Sequence, residues 1–557
     1  MNAHSLEMRK ELGAYYTPSE LSEIMSDWAI RQQSDKVLEP SFGGCGFLES
    51  CELTLRNLGA IKPLDNIFGV DIDIKAFDTL KNKFANKNIE SRFILNDFIN
   101  VAPIDFGGIS FDVIIGNPPY ISMHNMNIEQ RISCEKVLSN SPFSSKTLGR
   151  NASLWCFFLL HALSFLAEKG RSAWVLPSSF LNAYYAKALI SIYEKHFDTL
   201  KIIKINERLF KSEGADEMSV LFLCEGFHKE NITNGKLSIS FAESVSELGN
   251  IISGADYSVH ASNDNYKYNI LPKDAFDLYK HLKNMKACYK IKDFADIKIG
   301  MVTGFNNFFI LNKQEVMQYR LGEENLRPVV SRFSHLKGIK HNVMRHNKNV
   351  KDHKNAFLLH VDRENLVEKN TAVRSYLAKV RKQERLKNRT FKKRKYWYQP
   401  DDGIYPDAFL SYMVHESPKM VLNQGKINCT NSIHRVFFKE KPSFKRKIAF
   451  CISLLSTFSQ LSAELEGRSY GSGVLKIEPT AGKNIQIFID EYIVDDLFDI
   501  SKTIDSLMIN DRFNNAVDLV DNVLIKRNVI SSSELVLLKK ALLRLRADRY
   551  KGVKSYE

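Results

Sequence analysis

The sequence predicts an α/β fold: a doubly wound, parallel-rich sheet in the first part, then a mixed α+β region and C-terminal helices. Three observations lead there. Strand-like and helix-like segments alternate over the first 225 residues, as a sheet covered on both faces requires. Several short apolar runs end in an acidic or amide residue, and ligands of open α/β sheets bind at the carboxyl ends of strands. At 557 residues the chain is too long for one ordinary core, so two or more domains are expected.

In chain order, Val37-Leu38 leads into a Gly-rich turn and then a helix-like stretch from Phe47 to Leu58. Ile67 to Val70 is a short apolar strand ending in Asp71, Arg92 to Leu95 ends at Asn96-Asp97, and Phe111 to Ile115 ends at Asn117. A helix from about Asn151 to Glu168 and a Lys169-Gly170 turn precede the strand Ala173 to Leu176. Ile202 to Ile205 and Ser219 to Cys224 are expected to complete the sheet as an antiparallel edge. This domain is expected over residues 1–245. Residues 246–290, polar and turn-rich at their start, read as a linker. Residues 291–490 mix short β-like runs with turns, and 491–557 form a helical region with apolar residues at helical spacing over Ile504 to Leu524 and Ser533 to Asp548.

Composition narrows the function classes. The longest nearly uninterrupted apolar run, Leu154 to Leu166, is too short to cross a bilayer and contains His161, so a buried core helix is expected. The N-terminus, with Glu7, Arg9, Lys10 and Glu11, does not resemble a secretory signal, and a cytoplasmic location away from any membrane is the expectation. Cysteines 45, 51, 134, 156, 224, 288, 429 and 451 form no Cys-x-x-Cys pair, so neither a zinc site nor a disulfide framework is encoded locally and no metal is expected. The net charge of +14 is uneven: residues 1–250 carry −5 and residues 251–557 carry +19. That asymmetry suggests a second half that faces a polyanion such as duplex DNA; a basic domain that is merely solvated is the alternative.

The chemistry sits at the strand ends. In Glu39-Pro40-Ser41-Phe42-Gly43-Gly44-Cys45-Gly46-Phe47 the glycines, Gly43 among them, let the backbone approach a ligand closely. The turn fits neither Gly-x-Gly-x-x-Gly nor a phosphate loop, and Glu39 would repel phosphate while suiting an ammonium or sulfonium charge. Asp71, in Gly69-Val70-Asp71-Ile72-Asp73, is placed to hold a ribose diol or to cap a helix. Asp97 is placed to accept from an exocyclic adenine amine or to cap a turn. In Asn117-Pro118-Pro119-Tyr120 two prolines fix the backbone and remove two amide donors, so a carbonyl after Asn117 points into a site beside the Asn side chain. Two acceptors on one amino group draw its lone pair out of conjugation, which is what methylation of an aromatic amine demands; a Pro-Pro turn with an Asn cap is the structural alternative.

Together, Tyr16-Thr17-Pro18, the Glu39 to Phe47 turn, Asp71, Asp97 and Asn117 to Tyr120 resemble the ordered motifs of gamma-class DNA amino-methyltransferases, the adenine-N6 enzymes of type II restriction-modification systems. The resemblance covers the first 225 residues, with weaker motifs beyond. It implies a Rossmann-like class I S-adenosylmethionine-dependent methyltransferase domain followed by a target recognition domain. On that resemblance Thr17, Glu39, Gly43, Asp71, Asp97 and Asn117 would form the S-adenosylmethionine site, with Glu39 near the methionine amino end, Asp71 on the ribose and Asp97 at the adenine. Asn117 and the Pro118 carbonyl would accept from the target amine, with Pro119 fixing the turn. Tyr120 would stack on a base flipped out of duplex DNA, and Phe210, in Asn206-Glu207-Arg208-Leu209-Phe210, would complete the sandwich or else serve as an ordinary core residue. Tyr120 is the form typical of adenine-modifying members, and no Pro-Cys nucleophile of cytosine-carbon enzymes is found.

Ile299 to Phe309 and Gly471 to Pro479 resemble segments near the start and end of recognition domains in this family. Between Lys379 and Lys395 ten of seventeen residues are Lys or Arg, followed by Tyr396-Trp397-Tyr398; phosphate contact and a solvated helix surface are both compatible with this run, and the aromatics favour binding. Methylation of RNA or of a protein glutamine amide, and a catalytically silent DNA-binding subunit, are the competing readings. The basic second half favours DNA, and intact Glu39, Asp71, Asp97 and Asn117 favour an enzyme. Motifs beginning at residue 16 and the lack of a Pro-Asp, Asp/Glu-x-Lys site in the C-terminal helices lead us to expect any cognate restriction endonuclease as a separate protein.

Overall fold

The computed structural model describes residues 17–84, 90–144, 148–181, 183–207, 209, 218–231, 235–254, 265–366, 371–469 and 473–550. The chain divides into two compact units, Met1–Asn269 with Lys551–Glu557, and Ile270–Tyr550.

The first unit is built on β1 (Val37–Glu39), β2 (Ile67–Asp71), β3 (Phe93–Leu95), β4 (Phe111–Gly116), β5 (Leu166–Pro177), β6 (Phe197–Ile205), β7 (Ser219–Phe227) and β8 (Lys236–Ala242). They form one sheet in the order β3-β2-β1-β4-β5-β7-β6-β8. β1 pairs in parallel with β2 and β4, so the chain enters the sheet at its middle and reverses direction of winding there, placing a crevice at the carboxyl ends of β1 and β4. Helices α1 (Ser19–Ala29), α2 (Gly46–Asn57), α3 (Ile74–Lys83), α4 (Ile128–Asn140), α5 (Leu154–Ala162), α6 (Tyr184–Glu194) and α7 (Leu248–Ser253) accompany it. One core brings Leu21, Met25 and Ala29 of α1 against Phe47, Leu48, Cys51 and Leu55 of α2 and the Val113 and Ile115 face of β4. Asp73 caps α3 by accepting from the Lys75 amide at 3.0 Å, and Asn127 and Gln130 cap α4 reciprocally.

Two sequence expectations are corrected here. The helix expected to run to Glu168 ends at Ala162, and after a 3-10 turn over Leu163–Phe165 the strand β5 begins at Leu166. The Lys169-Gly170 turn is a bulge inside that strand: β4 pairs Phe111 with Leu166 but Val113 with Arg171. Lys169 takes a φ of 65°, and a Cβ on Gly170 would lie 2.8 Å from the Ala167 carbonyl oxygen. The expected antiparallel edge of two strands is also different. β7 alone runs antiparallel, inserted between β5 and β6, and the edge is β8, which lies parallel to β6.

The second unit holds a five-stranded sheet of Ala295–Ile299, Ile433–Phe438, Ala408–Ser411, Met420–Asn423 and Lys340–His341, in that order, and smaller sheets beside it. The helices Phe444–Ser453 and Thr457–Glu466 were not anticipated from sequence; the first is buried from Ile448 onward and the second is buried over Thr457–Leu465. The second is capped from afar: the Thr457 amide and hydroxyl donate to the two carboxylate oxygens of Asp521 at 2.8 and 2.6 Å. The single helix expected over Ile504 to Leu524 breaks at Asp511, whose φ of 56° separates Ser501–Ile509 from Phe513–Lys526. Residues 246–290 hold α7 and the helix Lys273–Leu282, and the boundary between the units falls between them. No single helix among the described residues is long and apolar enough to cross a membrane.

Candidate active site

Four strand ends meet around the crevice. β1 delivers Glu39, only 3% exposed, whose Oε2 has no hydrogen-bond partner among the described residues. Burial first, then the neighbouring charge of Asp71, push its pKa well above the usual carboxylate range, against the pull of a bond from the Leu48 amide. An unpartnered buried carboxylate is costly unless a cation reaches it. The donor set therefore fits a ligand that carries an ammonium group.

β2 delivers Asp71, also buried. Its Oδ2 accepts from the Gly43 amide at 2.7 Å and its Oδ1 from the Asp73 amide at 2.8 Å. Gly43 has a φ of 45°, a left-handed conformation that turns its amide toward Asp71. Burial raises the Asp71 pKa to about 6, and these backbone bonds moderate the rise. The helix-capping role open to Asp71 from sequence falls to Asp73 instead. Packing under the turn is tight: a Cβ on Gly69 would come within 2.8 Å of the Phe42 and Phe93 rings.

Asp97, following β3, caps the 3-10 turn Phe98–Asn100 by accepting from the Ile99 amide at 3.2 Å, and burial raises its pKa. The capping alternative is thus realised through Oδ1.

Asn117 follows β4 and is held from two sides. Its Nδ2 donates to the Thr17 hydroxyl at 3.4 Å, and its backbone carbonyl accepts from the Ser41 hydroxyl at 3.1 Å. Ser41 occupies the Asn117 carbonyl, whereas the hydrogen bonds among the described residues place no donor on the Pro118 carbonyl. Tyr120 is pinned to β5 by a bond from its hydroxyl to the Val175 carbonyl at 3.2 Å. A Cβ on Gly116 would lie 3.5 Å from Pro40 and 3.8 Å from Glu39, so the turn after β1 and the end of β4 are in direct contact.

The structure thus brings Thr17, Glu39, Gly43, Asp71 and Asn117 into one linked group, with Pro118, Pro119 and Tyr120 continuing from it. Phe210 and Tyr16 lie outside the described residues. Ser41 and Asp73 were not singled out from sequence, although both stand inside the quoted motifs; a hydroxyl and a second acidic residue at strand ends were the available signal. Asn206, which opens the motif containing Phe210, is buried, and neither of its side-chain polar atoms has a partner among the described residues.

All eight cysteines are unpaired, and every one except Cys288 is buried. Burial raises their thiol pKa values, which suppresses the thiolate a nucleophile would need. Among the described residues no group of three or more His, Cys, Asp or Glu could hold a metal ion.

In the second unit the aromatics after the basic run are half-buried. Trp397 packs at 5.4 Å from Phe391 and 5.9 Å from Phe308, against a core on which Tyr398 also packs. Of the ten cations, Arg394 is likewise used internally, donating to the Thr303 carbonyl at 2.8 Å and to the Val302 carbonyl.

Comparison with known proteins places these observations. Residues 1–247 match the N-6 DNA Methylase family, and residues 263–525 match the C-terminal domain of Type II methyltransferase M.Eco57I. Type II methyltransferase M.AccI of Acinetobacter calcoaceticus is 24% identical over 544 residues, 93% of this chain and 94% of its own length. Type II methyltransferase M.HindII of Haemophilus influenzae is 24% identical over 324 residues, 54% of this chain and 55% of its own. Among solved structures, the Type IIL restriction-modification enzyme MmeI in complex with DNA aligns at a TM-score of 0.59 with 13% identity, covering 98% of this chain and 80% of its own; that likeness concerns the fold alone.

Proposed function

We propose that the chain, whose first 247 residues match the N-6 DNA Methylase family, methylates the N6 amino group of an adenine flipped out of duplex DNA. The methyl donor in this reading is S-adenosylmethionine, and the biological role is the modification arm of a restriction-modification system. In this reading the DNA substrate implies a cytoplasmic location.

The observation that carries the reading is the hydrogen bond from Ser41 to the Asn117 carbonyl. It joins the turn suited to a cationic cofactor directly to the tetrapeptide suited to an aromatic amine. When bound, S-adenosylmethionine supplies a methyl group on a positively charged sulfur. Glu39 holds the amino end of that molecule, Asp71 accepts from its ribose diol, and Asp97 accepts from its adenine amine. Thr17 and Gly43 line the same side.

Tyr120, fixed through its hydroxyl, offers its ring to the flipped base, with Phe210 assigned the opposite face. Asn117 Oδ1 and the Pro118 carbonyl accept the two N–H bonds of the target amine and draw its lone pair out of the ring. Bound S-adenosylmethionine would supply its methyl group to that nitrogen, and the amine would release one proton to solvent. No covalent bond to the enzyme is required. The assignment of adenine rather than cytosine rests on Tyr120.

Asn117→Ala is the direct test. Methyl transfer should fall by at least about 100-fold, as when a positioned polar group is removed from a transition state, while cofactor affinity measured by calorimetry stays within about threefold. Turnover retained by this variant contradicts the assigned role.

A further inference from the structure

We propose that the face formed by Ile299, Val302, Phe305, Ile404 and Tyr405 in the second unit lies against a groove of duplex DNA, with Arg389, Lys392 and Lys393 on the flanking phosphates. The inference rests on the DNA reading above and names the surface that performs it. These five large apolar side chains are between 40% and 52% exposed, on loops adjacent in space. Isolated exposed apolar residues need no explanation, but a clustered set on a rigid frame marks a contact surface.

The frame is built by two arginines. Arg435, itself buried, donates to the Ile299 carbonyl at 3.2 Å, to the Ile404 carbonyl at 3.4 Å and to the Asp402 carboxylate at 2.6 Å. It locks the first and last loops together and pairs with Asp402, while the adjacent Asp401 accepts from the Asn428 side chain at 2.9 Å. Arg394 holds the Val302 and Thr303 carbonyls, and the Asn388 side chain donates to the Gly304 carbonyl at 3.0 Å. Gly304 has a φ of 83°, and a Cβ there would meet Thr390 at 2.9 Å, so the tip is pressed against the basic segment. Phe305 projects from that tip, supported from behind by Phe308 at 5.8 Å with the rings 21° apart.

Charge selects the occupant. Arg389, Lys392 and Lys393, next to Asn388 and Thr390, are exposed and make no ion pair among the described residues. A pre-ordered apolar tip beside unpaired cations matches a duplex, whose grooves accept apolar contacts to base edges and sugars while phosphates line the rim.

The full-length protein, with a duplex carrying its methylated site, tests this by fluorescence anisotropy across a salt series. Phe305→Ala should weaken specific binding tenfold or more with the salt slope retained. The double substitution Lys392→Gln with Lys393→Gln should lower the slope of log affinity against log salt by about 2. Ile404→Ser, at an exposed position, carries the same test should Phe305→Ala fail to fold, with melting temperature and cofactor affinity as the folding controls. Variants that fold, bind cofactor and bind duplex as tightly as wild type overturn the proposal while leaving the methyltransferase reading intact. Absence of duplex binding by the wild-type protein overturns both.

Discussion

Asp71 shows how the site's chemistry depends on single protonation states. Its carboxyl pKa is raised to about 6 by burial. A ribose diol donates best to the ionised form, so cofactor binding is full above pH 7 and weakens about tenfold per unit as pH falls below 6. Burial and the neighbouring Asp71 charge raise the Glu39 pKa as well, which reinforces the loss in the same direction. Calorimetric affinities for S-adenosylmethionine between pH 5 and 8 check this, and a flat profile contradicts it. Ser41 is the other residue with a separable role. Ser41→Ala removes one neutral hydrogen bond to the Asn117 carbonyl, worth about 1 to 1.5 kcal/mol, so kcat should drop roughly tenfold with cofactor affinity unchanged. A loss seen in cofactor affinity instead of kcat contradicts a positioning role. Glu39, Asp71 and Asn117 were legible because acidic or amide residues directly after apolar strands are rare enough to carry meaning. Ser41 was not, since a serine in a glycine-rich turn is ordinary until its partner, 76 residues on, is known.

At the scale of elements, sequence reading succeeded where an apolar run was short and bounded by a turn residue, as in β2 and β4. It failed where one segment changed state without such a signal. Leu154 to Leu166 is apolar apart from His161 and Ser164, so nothing in its periodicity marks the passage from α5 into β5. β8, Lys236-Leu-Ser-Ile-Ser-Phe-Ala, alternates as a half-buried strand should, but its polar residues hid it in a region taken for the domain's end. The helix pair Phe444–Glu466 depends on a contact that local patterning cannot contain, the capping of Thr457 by Asp521. Asp521→Ala leaves two buried donors unsatisfied and should destabilise the second unit by about 2 to 4 kcal/mol, read as a lower midpoint in urea denaturation with an unchanged slope. A midpoint equal to that of wild type contradicts this account of the cap.

For the whole molecule, charge carried more information than any secondary-structure pattern in the second half. Residues 251–557 hold a net +19, and the structure separates the cations of the basic run into those that build the fold, such as Arg394, and those left at the surface, such as Lys392 and Lys393. Resemblance marked Ile299 to Phe309, but not the rest of the proposed DNA-facing surface, because Ile404 is tied to Ile299 through Arg435, a contact that local patterning does not contain. The central claim, that an adenine in DNA receives the methyl group, is tested most directly by incubating the purified protein with duplex DNA and S-adenosylmethionine, then digesting the DNA to nucleosides for mass spectrometry. The account predicts N6-methyladenine as the product, absent with Asn117→Ala. N4-methylcytosine, or no methylated nucleoside from the wild-type protein, would contradict it.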